Sequence, residues 1–351
     1  MLEIFCTGNP REVGRQHGRF AREQIRKSLA FYAGYFERKS KMDWPAAVKS
    51  AELFLPILEA DWPDLVEEMK GVAEGASLPF SSIMALNARS EISMGMMSDG
   101  CTSLAWRTAG FSIIAQNWDW EDAQQDNLIA LHIQRASKPS ISQITEAGII
   151  GKIGINSAGV GVCLNAIRAR GVRFTSLPAH LALRVALDSS TRAEAVSALE
   201  KAGVATAFNI LVADATGATS LECSAVDLIK LDMDNGRIAH SNHFLAEHAD
   251  NAVDTIFMKD SYSRMDRVAK LINDAASAGP SPSARTAMIR VEQILKDEDG
   301  FPTSISRKSS PGNPSSTLFS IVTDLCSRVA VVKIGRPQSS KNVLVLSPSL
   351  L

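Results

Sequence analysis

The spacing of apolar positions along this chain changes near residue 100. Before it, apolar residues recur at helical intervals. Residues 11–39, rich in Arg, Gln, Glu, Ala and Phe, predict one helix. Asp43-Trp44-Pro45 opens a second, with Asp as N-cap and Pro in the first turn. Asp61-Trp62-Pro63 opens a third, which runs to Glu74 and stops near Gly75, and a short fourth covers residues 81–91. From Gly100 onward the apolar runs are short and bounded by turn residues. Residues 102–107 and 111–118 predict two strands around Thr108-Ala109-Gly110. Further strands are expected at 128–135, 141–147, 152–157, 159–166, 207–214, 218–224, 227–233 and 237–241. Helices are expected within 178–203, 251–276 and 282–297, and three more strands between 316 and 346. Residues 304–316, with Ser, Pro, Gly and Asn, predict an irregular stretch. This order implies an α+β chain, a layered sandwich on mainly antiparallel sheets.

Composition narrows the function classes. The 351 residues are 45% hydrophobic and 21% charged, as in a globular protein. The balance of 37 basic against 38 acidic residues argues against a nucleic-acid partner, which would want a basic face. No apolar run reaches a membrane span, and the N-terminus lacks the pattern of a secretory signal. Five widely spaced cysteines without a C-x-x-C imply free thiols in a reducing compartment. The final Ser-Leu-Leu lacks the basic middle residue of a peroxisomal Ser-Lys-Leu address, which leaves the cytosol as the expected location and the peroxisome as the alternative.

The candidate chemistry centres on Asp99-Gly100-Cys101-Thr102, at the front of the first strand of the second region. A backbone cut between Gly100 and Cys101 would leave Cys101 as a new N-terminal residue. Its thiol is then the nucleophile and its α-amine, with an ordinary pKa of about 7.7–8.0, the base. Counting register around the 108–110 turn places Cys101 opposite Gln116 or Asn117, with Asp119 just beyond at the same end of the ladder. Trp118 and Trp120 offer apolar walls for an acyl group beside Thr102. Asn242, in Ser241-Asn242-His243, is a candidate oxyanion donor, although a turn asparagine is the plainer reading. His240, His243 and His248 form no H-E-x-x-H and carry no metal assignment. Gly148, Gly151, Gly154, Gly159 and Gly161 fit no dinucleotide fingerprint and mark bends between strands.

These residues fall in a wider set. It comprises Gly8-Asn9-Pro10-Arg11-Glu12-Val13-Gly14 with His17-Gly18, Leu86-Asn87-Ala88-Arg89-Ser90-Glu91, the tetrapeptide at 99–102, and Gln116-Asn117-Trp118-Asp119. Residues 145–152, Asn156-Ser157-Ala158-Gly159-Val160, Ser241-Asn242-His243 and Gly335-Arg336-Pro337 complete it. In these stretches the chain resembles the fungal isopenicillin N acyltransferases, also called acyl-coenzyme A:6-aminopenicillanic acid acyltransferases, which are N-terminal nucleophile hydrolases. The resemblance implies a four-layer αββα sandwich. It also implies a precursor that cuts itself between Gly100 and Cys101, so that residues 1–100 form a helical α segment and 101–351 a β segment in one folded unit. Cys101 is implied as nucleophile, Asp119 as the residue that places and polarises the new terminus, and Asn242 as oxyanion donor. Ser224, in Leu221-Glu222-Cys223-Ser224, matches a family serine tied to processing and activity.

The implied partners are small molecules: acyl-coenzyme A as a substrate rather than a cofactor, and 6-aminopenicillanic acid or isopenicillin N. Lys152, Arg168, Arg170 and Arg173 are scattered cations that would hold coenzyme A loosely. The chain departs from the family pattern in its Ser-Leu-Leu end and in lacking a Gly-x-Ser-x-Gly within 307–315. An N-acyl amide hydrolase of the same fold with a non-penicillin substrate is therefore the alternative expectation. A binding module that never matures is the expectation from another class.

Overall fold

A computed structural model of the chain describes residues 1–93, 100–249, 252, 259–279 and 281–348. The expected feature at Asp99, the start of the 251–276 helix and the terminal Ser-Leu-Leu lie outside the described residues. The strands are β1 (Leu2–Thr7), β2 (Cys101–Thr108), β3 (Phe111–Glu121), β4 (Leu128–Gln134), β5 (Ile141–Glu146), β6 (Ile153–Asn156), β7 (Gly161–Ala166), β8 (Phe208–Asp214), β9 (Gly217–Cys223), β10 (Leu228–Asp232), β11 (Arg237–His240), β12 (Ser315–Asp324), β13 (Val329–Ile334) and β14 (Val343–Leu346). They form an eight-stranded sheet, β1-β4-β5-β6-β7-β8-β9-β10, and a six-stranded sheet, β11-β2-β3-β12-β13-β14. Every pairing between these strands is antiparallel except β1 with β4.

The helices are α1 (Pro10–Phe20), α2 (Arg22–Ser40), α3 (Trp44–Glu52), α4 (Leu55–Asp61), α5 (Pro63–Ala76), α6 (Phe80–Asn87), α7 (Arg89–Ile92), α8 (Ala179–Leu187), α9 (Arg192–Ala202), α10 (Lys259–Ser277) and α11 (Ala284–Leu295). Strands β2, β3 and β11 of the six-stranded sheet pack against β7 and β9 of the eight-stranded one. On its outer face the six-stranded sheet carries α10 and α11, and the other sheet carries α8 and α9. The layers are thus helix, sheet, sheet, helix. Strand β2 is buried from Cys101 to Trp106 and β3 along its whole length, because both faces of their sheet are covered.

Three local outcomes differ from the periodicity. The first six residues after Met1 are a strand, not part of a helical region: Leu2, Ile4 and Cys6 turn toward the core while β1 pairs with β4. The expected helix at 11–39 breaks at Ala21, whose backbone is not helical, into α1 and α2. A further short helix, α4, stands between the expected second and third. Helices α1 and α5 meet backbone to backbone through glycines. A Cβ on Gly14 would lie 1.9 Å from the Glu68 carbonyl oxygen, and one on Gly71 2.2 Å from that of Arg11. That approach places Glu68 for a double contact with Arg184 of α8, both oxygens at 2.7 Å.

Candidate active site

The hairpin of β2 and β3 turns on two residues, Ala109 and Gly110, because Thr108 pairs with Phe111. The turn is one residue shorter than expected, so the partner of Cys101 is Trp118 rather than Gln116 or Asn117. Directly paired residues share a sheet face. Cys101, Trp118 and Trp120 therefore face the neighbouring layers, while Thr102, Asn117 and Asp119 face α10 and α11. Thr102 thus lies on the other face of the sheet from Cys101, where its Oγ1 accepts from Arg264 Nη1 at 3.1 Å.

The peptide unit joining Gly100 to Cys101 is held at both ends. The Asp119 N–H donates to the Gly100 carbonyl at 2.9 Å. The Cys101 N–H donates to Asn242 Oδ1 at 2.9 Å. Arg264, on α10, donates to the Cys101 carbonyl at 2.7 Å and to Asn242 Oδ1 at 2.8 Å. Asn242 Nδ2 donates one hydrogen to the Ala166 carbonyl at 2.9 Å. Gly100 has no room for a side chain: a Cβ there would lie 2.8 Å from Arg307 Nε and 2.9 Å from Asp119 Oδ2.

Asp119 is fully buried. Its Oδ1 accepts from Thr317 Oγ1 at 2.7 Å and its Oδ2 from Arg307 Nε at 3.3 Å. Burial raises its carboxyl, Arg307 and Arg264 pull it back, and the balance leaves it at about 6. Arg307 also meets Asp260, which in turn pairs with Arg264. Two arginines and two carboxylates therefore surround the bond ahead of Cys101. Arg264 and Arg307 carried no motif signal. Arg307 sits in the Ser/Pro-rich stretch expected to be irregular, which it is as far as Pro314, and Arg264 is one of several cations on an amphipathic helix. A buried arginine looks like a surface one until the fold is known.

On the other face, Cys101 sits against β7. Cys163 lies on that strand near Cys101, and its thiol is pushed well up, by burial first and the neighbouring Cys101 second. Two residues along, Ser103 Oγ donates to Asn165 Oδ1 at 2.6 Å, which Asn209 Nδ2 also reaches at 3.0 Å. Trp118 and Trp120 are wholly buried and stack on one another, centroids 6.2 Å apart. Phe31 and Tyr35 of α2 close over Trp120.

Lys152 does not stand on the surface for a phosphate. It is buried, ion-paired to Glu146, with its Nζ 3.6 Å from the Trp118 ring centre. Glu146 also receives Arg89 and the Tyr32 hydroxyl, both from the N-terminal hundred residues. Burial would raise Glu146, but Arg89 and Lys152 outweigh it and hold its carboxyl at about 2.

Ser224 lies in the turn after β9. Its hydroxyl donates to Asp227 and accepts from the backbone N–H groups of Val226 and Asp227. No described contact joins it directly to Cys101. His240, His243 and His248 meet Glu222, Ser261 and Asp227 rather than one another. No described helix is long and apolar enough to cross a membrane.

Comparison with known proteins bears on the family and the fold. The sequence profile described as "Acyl-coenzyme A:6-aminopenicillanic acid acyl-transferase" matches residues 106–339. A relative from Emericella nidulans, the 40 kDa form of acyl-coenzyme A:6-aminopenicillanic-acid-acyltransferase, is 37% identical over 356 residues, covering 100% of this chain and 97% of its own. Among solved structures, an arginine-to-leucine variant of the conjugated bile acid hydrolase from Clostridium perfringens superposes with a TM-score of 0.53 at 15% identity, covering 72% of this chain and 93% of that one. A cysteine-to-alanine mutant of the same hydrolase gives 0.51 at 13% identity, covering 70% and 92%. The layered sandwich is the N-terminal nucleophile hydrolase fold. With a profile over most of its length and a full-length relative in agreement, the chain belongs to the acyl-coenzyme A:6-aminopenicillanic acid acyl-transferase family.

Proposed function

We propose that this protein cuts its own chain between Gly100 and Cys101, and that Cys101 then transfers acyl groups. The observation that carries the reading is the two-ended grip on that peptide unit, its carbonyl on the Asp119 N–H and its nitrogen on Asn242. In the cut, Cys101 Sγ attacks the Gly100 carbonyl carbon. The developing oxyanion lies at the Asp119 N–H with the Arg307 guanidinium beside it. The C–N bond breaks as the nitrogen takes a proton, and water hydrolyses the resulting thioester. The products are a Gly100 carboxylate and a free α-amine on Cys101, already hydrogen-bonded to Asn242.

In turnover the amine takes the thiol proton, and the thiolate attacks the carbonyl of an acyl-coenzyme A. The remaining Nδ2 hydrogen of Asn242 stabilises the tetrahedral oxyanion. Coenzyme A leaves as the thiol, and the amine of 6-aminopenicillanic acid resolves the acyl-enzyme. Coenzyme A is a substrate here and no cofactor is required. Trp118, on the same face as Cys101, lines the acyl side. With Lys152 enclosed, Arg170 and its neighbours Arg168 and Arg173 remain the candidate cations for the coenzyme A phosphates. Cytosol is the compartment in which such a thiol stays reduced.

The test is product analysis of mature protein incubated with phenylacetyl-coenzyme A and 6-aminopenicillanic acid. The reading expects benzylpenicillin and free coenzyme A in equal amounts. Release of phenylacetate without penicillin would make water the acceptor and the protein an amide or thioester hydrolase.

A further inference from the structure

Asn242 is presented to Cys101 by a segment with no regular secondary structure, residues 241–249 after β11. A side chain that must hold a position to a fraction of an ångström needs support from rigid elements. The support converges on one carboxylate. Glu222, on β9 and fully buried, accepts from His240 Nε2 at 2.6 Å on one side of Asn242. On the other side it accepts from the Leu245 N–H at 2.6 Å, the Ala246 N–H at 2.9 Å and His248 Nε2 at 3.2 Å. Asp227 extends the same grip, accepting from His248 Nδ1 at 2.7 Å and from the Ala249 N–H at 2.9 Å while Ser224 braces it. Burial alone would raise the Glu222 carboxyl. The His240 contact and the two backbone N–H groups overcome that and hold it below its ordinary value. From the opposite layer, Ser261 of α10 accepts from the Asn242 N–H at 2.8 Å.

We propose that Glu222 is a positioning residue, which clamps the chain on both sides of Asn242 and thereby sets the Asn242 amide against Cys101. The proposal rests on the reading that Asn242 serves Cys101. It assigns the same task to Ser224, through Asp227 and His248, with no contact to the reacting atoms. No described contact joins the clamp to Trp118 on the acyl side of Cys101, so its loss is expected to change the rate and not the binding of substrate.

The test is a double-mutant cycle with Glu222→Gln and Asn242→Ala, read as the rate of self-cleavage and as kcat and KM with phenylacetyl-coenzyme A. Glu222→Gln is expected to slow both rates roughly tenfold or more, a fraction of the loss on removing an oxyanion donor outright, with KM unchanged. In the Asn242→Ala background the same change is expected to cost nothing further. A wild-type rate in Glu222→Gln, or losses that multiply in the double variant, would overturn the proposal. Should Glu222→Gln fail to fold, His248→Asn removes one of the four donors and must show the same non-additivity. A crystal structure of either variant reads placement independently of activity. Asn242 Oδ1 beyond about 3.5 Å from the Cys101 nitrogen, outside hydrogen-bond reach, supports the clamp, and an unmoved amide contradicts it. A wild-type protein with neither activity would overturn the proposed function alone, because the displacement of Asn242 would still be measurable.

Discussion

Asp119 shows how little freedom the residues around the Gly100–Cys101 bond have. Its backbone holds the Gly100 carbonyl and its carboxylate holds Arg307, so one residue fixes both the bond and the cation beside it. A buried carboxyl raised to about 6 is ionised only above that pH. Self-cleavage that needs the ionised form should therefore rise with pH around a midpoint near 6, and Asp119→Asn should flatten and lower the profile. The sign for stability is opposite: the folded chain binds this proton more tightly than the unfolded one, so Asp119 takes stability away as pH climbs from about 4 through 6. Stopped-time gels across roughly pH 5–8, bracketing the raised carboxyl, read the first effect and urea melts the second. Gly100→Ala is expected to fold and stay uncut, because its Cβ meets the Asp119 and Arg307 side chains. Prompt cleavage of that variant would mean the pair moves aside at no cost. Asn242→Ala should lose about 100–1000-fold in acyl transfer, the usual loss for one oxyanion donor.

At the scale of elements, the β2–β3 hairpin does most of the positioning, and most of it was legible from residue order. The short apolar runs on either side of Thr108-Ala109-Gly110 located both strands, and register counting from Cys101 located the site end of the ladder. The register was off by one because strand pairing closes the loop at Thr108, and alternation cannot tell a two-residue turn from a three-residue one. That single step decides which face each residue takes. It puts Trp118 on the side of Cys101, and Thr102 and Asp119 behind it. The stretch expected to be irregular at 304–316 is so up to Pro314, where β12 begins two residues early at Ser315, yet its function as the carrier of Arg307 had no signal. Only the pairing of β12 with β3 brings Thr317 opposite Asp119 and Arg307 beside it. Strand β1 was also hidden, since a six-residue edge strand beside a long helix is too short for its period to stand out.

The whole molecule is organised so that a cut at residue 100 need not separate its two parts. Strand β1 is an edge of the eight-stranded sheet. Asn87 bonds the carbonyl of Gly148 and the N–H of Ile150. Glu91 Oε1 accepts from the first N–H of α8, and Tyr32 and Arg89 close on Glu146. Glu146→Gln removes the buried carboxylate that pairs with both Arg89 and Lys152. It should cost about 3–5 kcal/mol of stability, the usual result of removing one partner from a buried pair, measured as a fall in the urea midpoint of the purified protein. Because this carboxyl is held at about 2, below its unfolded value, the stability it supplies is complete at neutral pH. It fades as pH falls from about 4.5 toward 2. The central claim, that the chain is a precursor activated by its own nucleophile, is tested most directly by the intact mass of freshly purified protein beside its Cys101→Ala variant. The account predicts two fragments of about 11 and 27 kDa, in proportion to residue number in a 37.8 kDa chain, the larger starting at Cys101, and an uncut variant. A wild-type chain that stays whole, or a Cys101→Ala chain that is cut at the same bond, would contradict it.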